Sequence, residues 1–407
     1  MLTFSFFFKS IPNIIKYNFK YYKKLKEIEC SKKWSEQEWR DYQLASINKN
    51  LKINGLKMID SLVEMDKIPI TNKDYYQSRI SKYKQSGNIY HAKTGGSTGK
   101  PFEMFKSKND ILYEHAFLDN ILSSYGVNVF GLYRSMRIRG EKFSGIYKRT
   151  AINKISLSSY SISNETIADY VKVINKFSPD VIFAYPSSLY NLAIHIQKYD
   201  KDILKSKSKL KLIIVSSEVL LEHQLSTIKE VFNCRVVNLY GNTEHSIFAI
   251  DSLDGNGFIH NKLYSYVEFL DNHIITTSFN DDNMPLVRYS TDDIGFLNHD
   301  GSFKLDGRAQ DIALGKSGTQ YPVTGIIFGQ HFSFFSKIKE MQLIQKKAGE
   351  LILKYYSENP LLEHEVFNVK VHIRDLSSND LKLDLQHQSF PIEKTKVGKL
   401  AFFKKEI

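Results

Sequence analysis

The stretch His91-Ala92-Lys93-Thr94-Gly95-Gly96-Ser97-Thr98-Gly99-Lys100-Pro101-Phe102 is a run of small and hydroxylated residues closed by a lysine and a proline. Glycine lets the backbone approach a ligand closely and turn its N–H groups inward, so such a loop is a ready anion cradle. Hydroxyls and an ammonium add donors without bulk, as a polyphosphate requires. A Walker A loop needs glycine where Thr94 stands ahead of Gly99-Lys100, so the loop departs from that template. It also lacks the Gly-x-Gly-x-x-Gly spacing of a dinucleotide fold. Alone, the stretch also reads as a flexible surface turn. Its meaning depends on what surrounds it.

Upstream, residues 12–90 read mainly as helix, interrupted at Ile68-Pro69-Ile70-Thr71-Asn72-Lys73. Downstream, Asp110–Tyr125 reads as a helix, after which helices and strands alternate. The helices are Asn164–Phe177, Ser187–Tyr199 and Glu222–Phe232; the strands are Val181–Ala184, Leu210–Val215 and Arg235–Tyr240. This alternation predicts βαβ units and a mostly parallel sheet, whose ligands bind beyond the carboxyl ends of the strands. From about Asp251 the pattern changes to short strands at Ser265–Leu270, His273–Ser278, Leu286–Tyr289 and Phe296–Leu297. Past Gly307-Arg308 a final piece has strands of its own at Met341–Gln345, Leu351–Tyr356 and Phe367–Ile373.

The expected fold is α/β. A large N-terminal domain carries mixed, mostly parallel sheets flanked by helices plus a β-rich subdomain, and a small mobile C-terminal α+β domain follows. We expect residues 1–90 as the helical region of the large domain, 91–306 as a ligand-binding core with the β-rich subdomain, and 307–407 as a C-terminal lid.

An apolar content of 42% in 407 residues supports a substantial core and excludes a disordered chain. The net charge of +12 fits anionic partners: nucleotides, nucleic acid or a membrane headgroup face. Cys30 and Cys234 form no CxxC pair, which excludes a disulfide framework and a thiolate zinc site and suits a reducing cytoplasm. No run of 18 apolar residues occurs, so no transmembrane helix is expected. The N-terminal Met1–Phe8 precedes its lysines, the reverse of a signal peptide. Lysines 9, 16, 20, 23, 24 and 26 among aromatics suit either peripheral contact with an anionic bilayer or an amphipathic helix packed on the body. No helix-turn-helix, RNP-like or zinc pattern supports a nucleic-acid partner.

Loops at strand ends carry the remaining chemistry. One strand runs into Ser216-Ser217-Glu218, the next into Tyr240-Gly241-Asn242-Thr243-Glu244-His245. Tyr240 offers a π-face, Thr243 a hydroxyl and Glu244 a hard oxygen ligand for Mg²⁺. Arg288-Tyr289-Ser290-Thr291-Asp292-Asp293 adds an acid able to accept from ribose hydroxyls. Each has a plainer reading: a core aromatic, a helix-capping acid, a turn.

Taken in order, these segments resemble the adenylate-forming superfamily, and most closely its phenylacetate–CoA ligase-like branch, which includes proteins of capsule and surface-polysaccharide synthesis. Thr94–Pro101 is similar to the family's phosphate loop, and Tyr185-Pro186-Ser187 to a segment common in the branch. Ser217 and Glu218 fall at the adenine-pocket wall. Tyr240-Gly241-Asn242-Thr243-Glu244 is similar to Tyr-Gly-x-Thr-Glu, and Arg288–Asp293 to Arg-Tyr-x-Thr-Gly-Asp. Gly307-Arg308-Ala309-Gln310-Asp311, with Pro322 beyond it, resembles the hinge motif, and Pro391–Lys399 the C-terminal Pro-x₆-Gly-Lys motif.

The resemblance implies ATP-dependent activation of a small carboxylic acid to an acyl-adenylate with release of pyrophosphate. The acyl group then passes to CoA or to an amine or hydroxyl, such as one on a surface glycan. It places Thr94, Gly95, Gly96, Ser97, Thr98, Gly99 and Lys100 on the β/γ-phosphates and Thr243 on the α-phosphate. It further places Glu244 on Mg²⁺, Tyr240 and Gly241 beside the nucleotide, Asp293 on the ribose, Arg308 at the hinge, and Lys399 between carboxylate and phosphate. Tyr185, Ser187 and His245 are the nearest candidates for the acyl pocket. Asp292 stands where the family has glycine, Gln310 where an acid is common, and Ser216-Ser217 where Gly-Ala is commoner. Rival readings are a plain aryl- or acyl-CoA ligase of acid catabolism, and a non-catalytic nucleotide-binding scaffold.

Overall fold

The computed structural model describes residues 11–12, 15, 17–84, 89–93, 102–139, 144–159, 161–200, 204, 209–252, 255, 257–308, 312–327, 334, 337–393 and 400–406. In chain order, helices α1 (Phe19–Ser31) and α2 (Glu36–Asn54) lead through a 3-10 turn (Leu62–Lys67) to the short helices α3 (Lys73–Gln77) and α4 (Ile80–Tyr83). Strands β1 (Ile89–Lys93) and β2 (Glu103–Ser107) flank the glycine loop, and α5 (Lys108–Ser124) follows. Next come β3 (Ser135–Arg139), β4 (Tyr147–Ala151), β5 (Lys154–Ser158), α6 (Ile167–Phe177), β6 (Val181–Ala184), α7 (Pro186–Asp200), β7 (Leu212–Ser216) and α8 (Glu222–Phe232). A strand-rich run holds β8 (Val236–Gly241), β9 (Phe248–Asp251), β10 (Phe258–His260), β11 (Ser265–Leu270), β12 (His273–Ser278), β13 (Tyr289–Leu297) and β14 (Phe303–Arg308). The C-terminal part carries β15 (Ile312–Leu314), β16 (Gln320–Pro322), α9 (Val323–Ile327), β17 (Glu340–Lys347), β18 (Glu350–Tyr356), α10 (Glu363–Leu376), β19 (Lys382–Gln388) and β20 (Phe403–Lys405).

The chain forms two compact units: Met1–Tyr133 with Leu239–Leu305, and Arg134–Asn238 with Asp306–Ile407. In the first, β11, β12, β13, β14, β10 and β9 follow one another across a sheet that the end of β8 joins, with antiparallel pairing at β11–β12, β12–β13, β10–β14, β9–β10 and β8–β9. Helix α5 starts at Ser107, whose hydroxyl accepts from the Asp110 N–H at 3.2 Å while the Asp110 carboxylate accepts from the Ser107 N–H at 2.6 Å. Such a reciprocal cap satisfies two otherwise orphaned donors. Helix α1 buries Tyr21 and Ile28, and the Tyr21 hydroxyl donates to Asp119 of α5 at 2.7 Å.

In the second unit the strand order is β7-β6-β3-β5-β4, parallel at β7–β6, β6–β3 and β3–β5. The near-continuous apolar runs Val181–Ile182 and Leu212–Val215 are fully buried, as strands covered on both faces must be. Helices α6, α7 and α8 cover them through Tyr170, Ile174, Leu189, Leu192 and Ile228. A separate four-stranded sheet, β19-β18-β17-β20, packs its own apolar cluster with Val369 and Ile373 of α10. Among the described residues, no helix is long and apolar enough to cross a membrane.

The α/β expectation, parallel strands followed by a β-rich region and a small α+β piece, is what these elements show. Two elements differ from the sequence expectation. Phe367–Ile373 is not a strand but part of α10. β18 and β19 pair in parallel, and a parallel pair needs a crossover, which this helix supplies. Its start is fixed by Glu365, whose carboxylate accepts from the Leu362 N–H at 3.0 Å. Leu286–Tyr289 and Phe296–Leu297 are not two strands: one strand runs from Tyr289 to Leu297, and Leu286–Arg288 precedes it. Arg288 has φ +39°, which breaks extended pairing at that point.

Candidate active site

In the first unit, β8 ends at Tyr240-Gly241 and a tight turn follows. Asn242 organises that turn: its side-chain oxygen accepts from the Ser246 N–H at 2.9 Å, and its amide donates to the Ser246 hydroxyl at 2.7 Å. Asparagine suits this because its short side chain mimics a backbone turn. At Gly241 an added Cβ would sit 3.3 Å from the Ile247 carbonyl oxygen, tighter than most side chains accept. Thr243 is exposed on the turn, and Glu244 is buried.

Two tyrosines tie this turn to β13. The Tyr240 hydroxyl donates to Asp293 Oδ2 at 2.6 Å, while its ring packs with Phe258 and Phe303. The Tyr289 hydroxyl donates to Glu244 Oε1 at 3.3 Å. Burial, then the charge of Glu244, pushes the Tyr289 hydroxyl far above the usual phenol range, so it stays a proton donor. Asp293 and Glu244 are only 8% and 7% exposed, and buried carboxylates of this kind require such partners.

The strand after the glycine loop is tied to the same turn. Phe102 stacks on Tyr289 with ring centroids 6.0 Å apart. On β2, the Lys106 ammonium donates to the Glu244 carbonyl at 2.7 Å and pairs with buried Asp281. Lys93 of β1 lies opposite Glu103 of β2, so both flanks of the loop are paired. The loop itself is outside the described residues, and with it Thr94, Gly95, Gly96, Ser97, Thr98, Gly99 and Lys100; so are Lys399 and Gln310. Sequence reading assigned nothing to Phe102, Lys106 or a Tyr289 hydroxyl. Only Tyr289 carried a signal, through its place in the Arg288–Asp293 motif.

Asp292, where the family has glycine, takes φ +62°, so it adopts the left-handed backbone that glycine would supply. Its carboxylate pairs with Lys73 at 2.5 Å. His245 (φ +54°) and Arg288 (φ +39°) are also left-handed, and such non-glycine conformations cluster at functional loops at a cost of about 1–3 kcal/mol each. Arg288 is fixed by a forked pair with Glu268, at 3.2 and 2.9 Å.

In the second unit, Ser217 follows β7 with φ +73°. Glu218 Oε2 accepts from the Ser187 N–H at the start of α7 at 3.1 Å, and Oε1 accepts from the Leu400 N–H at 3.4 Å. Pro186 opens α7, where its missing N–H costs nothing and Tyr185 before it is held out of helix. Tyr185 and Ser187 are buried. Arg308 ends β14, and its side chain lies outside the described residues.

Among the described residues no group of three or more His, Cys, Asp or Glu forms a metal cage. A single buried carboxylate, Glu244, suits Mg²⁺ that is held mainly through phosphate and water.

No family model matches the chain. Protein CapK of Staphylococcus aureus is 24% identical over 316 residues, covering 68% of this chain and 66% of CapK, so the match spans just under two thirds of that relative. Phenylacetate-coenzyme A ligase of Pseudomonas putida is 23% identical over 361 residues, covering 84% of this chain and 77% of the ligase. Of solved structures, 2-hydroxyisobutyryl-CoA ligase in a postadenylation state aligns at a TM-score of 0.63 and 13% identity, covering 97% of this chain and 90% of that one. The amide bond synthetase McbA of Marinactinospora thermotolerans aligns at 0.54 and 15% identity, over 77% and 68%. The chain is thus similar in sequence to CapK and to phenylacetate-coenzyme A ligase, and shares its fold with adenylate-forming ligases.

Proposed function

We propose that this chain activates a small carboxylic acid with ATP, forming an acyl-adenylate and pyrophosphate, and then passes the acyl group to a second nucleophile. The observation that carries the proposal is the meeting of Tyr240, Glu244, Tyr289 and Asp293 beside the anchored exit of the glycine loop. In this reading the carboxylate attacks the α-phosphorus, the acyl–phosphate bond forms, and the bond to pyrophosphate breaks. Little covalent chemistry falls to the protein, so positioning and charge neutralisation dominate.

Asp293, oriented by Tyr240, accepts from the ribose hydroxyls, with Gly241 leaving room for the nucleotide. Thr243 contacts the α-phosphate. Residues Thr94–Lys100 grip the β/γ-phosphates through backbone N–H groups and the Lys100 ammonium. Glu244 holds Mg²⁺, which when bound neutralises phosphate charge. Lys399, a compact charge on a flexible stem, stabilises the charge shared by carboxylate and α-phosphate. Ser217 and Glu218 stand at the adenine side, and Arg308 at the hinge between the main body and a lid over 307–407.

The second nucleophile is CoA or an amine or hydroxyl. The likeness to CapK favours an acceptor on a surface glycan, and that to phenylacetate-coenzyme A ligase favours CoA. The test is to incubate protein, ATP, Mg²⁺ and a panel of acids with hydroxylamine. An acid-dependent hydroxamate with matching AMP supports the proposal; ATP binding without hydroxamate from any acid favours the scaffold reading.

A further inference from the structure

We infer that Glu218 is a positioning residue: its carboxylate latches the segment that follows Lys399 onto the N-terminus of α7. One oxygen accepts from the Ser187 N–H at 3.1 Å and the other from the Leu400 N–H at 3.4 Å, so one side chain joins two parts of the second unit distant in sequence. The Leu400 nitrogen is the peptide nitrogen bonded to the Lys399 carbonyl carbon. The latch thus acts on the residue that directly follows Lys399 in the chain.

Each half of the latch has a physical reason. The first N–H groups of a helix lack internal partners, and the helix dipole favours an anion there, so Glu218 caps α7 through space. A carboxylate is acceptor-only with two oxygens, which is what two facing N–H groups require; an amide would turn a donor toward one of them.

The loop bearing Glu218 is braced toward the C-terminal part by independent contacts. Leu220 packs against the core of the parallel sheet, whereas Leu221, one residue on, packs against the cluster built by β17, β18, β19 and α10. Ser217 carries φ +73°, a conformation that persists only where surroundings dictate it. On the far end of α7, Lys198 pairs with Glu358, which also accepts from Lys339 at 3.0 Å. Helix α7 is thus tied to the C-terminal part at both ends.

The consequence for catalysis rests on the activation reading above: releasing the latch slows the half-reaction that needs Lys399 even when ATP is saturating. The test uses the full chain with Glu218→Ala, which removes both acceptors, and Glu218→Gln, which keeps one. Hydrogen exchange at the Leu400 amide reads the latch directly, whether or not the protein is catalytically active. Loss of a charge-assisted hydrogen bond should speed that exchange by about tenfold in Glu218→Ala, with Glu218→Gln between it and the parent. In single turnover at saturating ATP, adenylate formation should slow by a similar factor, about tenfold, separately from any change in ATP KM that the adenine-side position of Glu218 brings. Unchanged Leu400 exchange in both variants overturns the latch. So does an unchanged rate at saturating ATP with a raised ATP KM, which would leave Glu218 with its adenine-side role alone. A parent protein that makes no adenylate refutes the activation reading alone, because the exchange measurement still decides the latch.

Discussion

The Tyr240 hydroxyl donates to Asp293 at 2.6 Å, joining two motif residues 53 positions apart in the chain. The Tyr240 ring is independently packed by Phe258 and Phe303, so Tyr240→Phe removes the hydrogen bond and leaves the packing. A hydrogen bond to a charged group contributes roughly 1.5–3 kcal/mol. We expect kcat/KM for ATP to fall about tenfold or more in Tyr240→Phe, at roughly 1.4 kcal/mol per decade. Steady-state kinetics on ATP checks this, and unchanged parameters would detach Asp293 from the nucleotide.

Asp292 tests the backbone. At φ +62° an alanine pays the left-handed cost without the local hydrogen bonding an aspartate offers, whereas glycine pays none. Its ion pair with Lys73 is partly exposed and contributes at most about 1 kcal/mol. Thermal melts should therefore rank Asp292→Gly above Asp292→Ala by about 1–2 kcal/mol. Asp292→Gly should also keep ATP-dependent activity, since it restores the turn residue usual in the family.

Lys106 and Asp281 form a fully buried pair beneath the Glu244 carbonyl. Lys106→Met strands a buried carboxylate and should cost about 3–5 kcal/mol in urea unfolding. Asp110 raises that cost: burial and then the charge of Asp281 already push its carboxyl up to about 7. The double variant Lys106→Met/Asp281→Leu should recover much of the loss, because two matched apolar groups need no counter-charge. A Lys106→Met loss below about 1 kcal/mol would show that the pair is not kept in solution.

Glu358 predicts a pH window. Its hydrogen bond with Lys198, then that with Lys339, lowers its carboxyl to about 2 from an ordinary 4.5. A depressed acid gives stability that is present above the unfolded value and is lost as pH falls through the folded one. The stability gap between the parent and Glu358→Gln should thus be constant above about pH 5, narrow below 4.5 and close near 2. Because the site is half exposed, the gap should be small and should shrink in high salt. Chemical unfolding across pH 2–7 measures it.

The parallel strands were legible because Val181–Ala184 and Leu212–Val215 are unbroken apolar runs between turn residues, and the motif loops because their residue types are specific at fixed spacing. Two kinds of information were not. In Val369-Lys370-Val371-His372-Ile373 a period-two alternation coexists with the helical spacing of Val366, Val369 and Ile373. Only the parallel pairing of β18 with β19 decides between them. The strands over 135–158 escaped because β4, Tyr147-Lys148-Arg149-Thr150-Ala151, is an edge strand with little apolar content. At the site, residue types named Tyr240, Glu244 and Asp293. Nothing in one sequence links Lys106 to the Glu244 carbonyl 138 positions away, or Glu218 to Leu400 182 positions away, because such contacts exist only after folding.

Acid-dependent exchange of labelled pyrophosphate into ATP is the most direct measurement of the central claim, because it reads reversible acyl-adenylate formation with no assumption about the acceptor. The chain should catalyse exchange with at least one carboxylic acid in the presence of Mg²⁺, and Asp293→Asn and Lys399→Ala should each lose most of it, with ATP binding largely kept in Lys399→Ala. Tight ATP binding with no exchange across a broad panel of aliphatic and aromatic acids would contradict it.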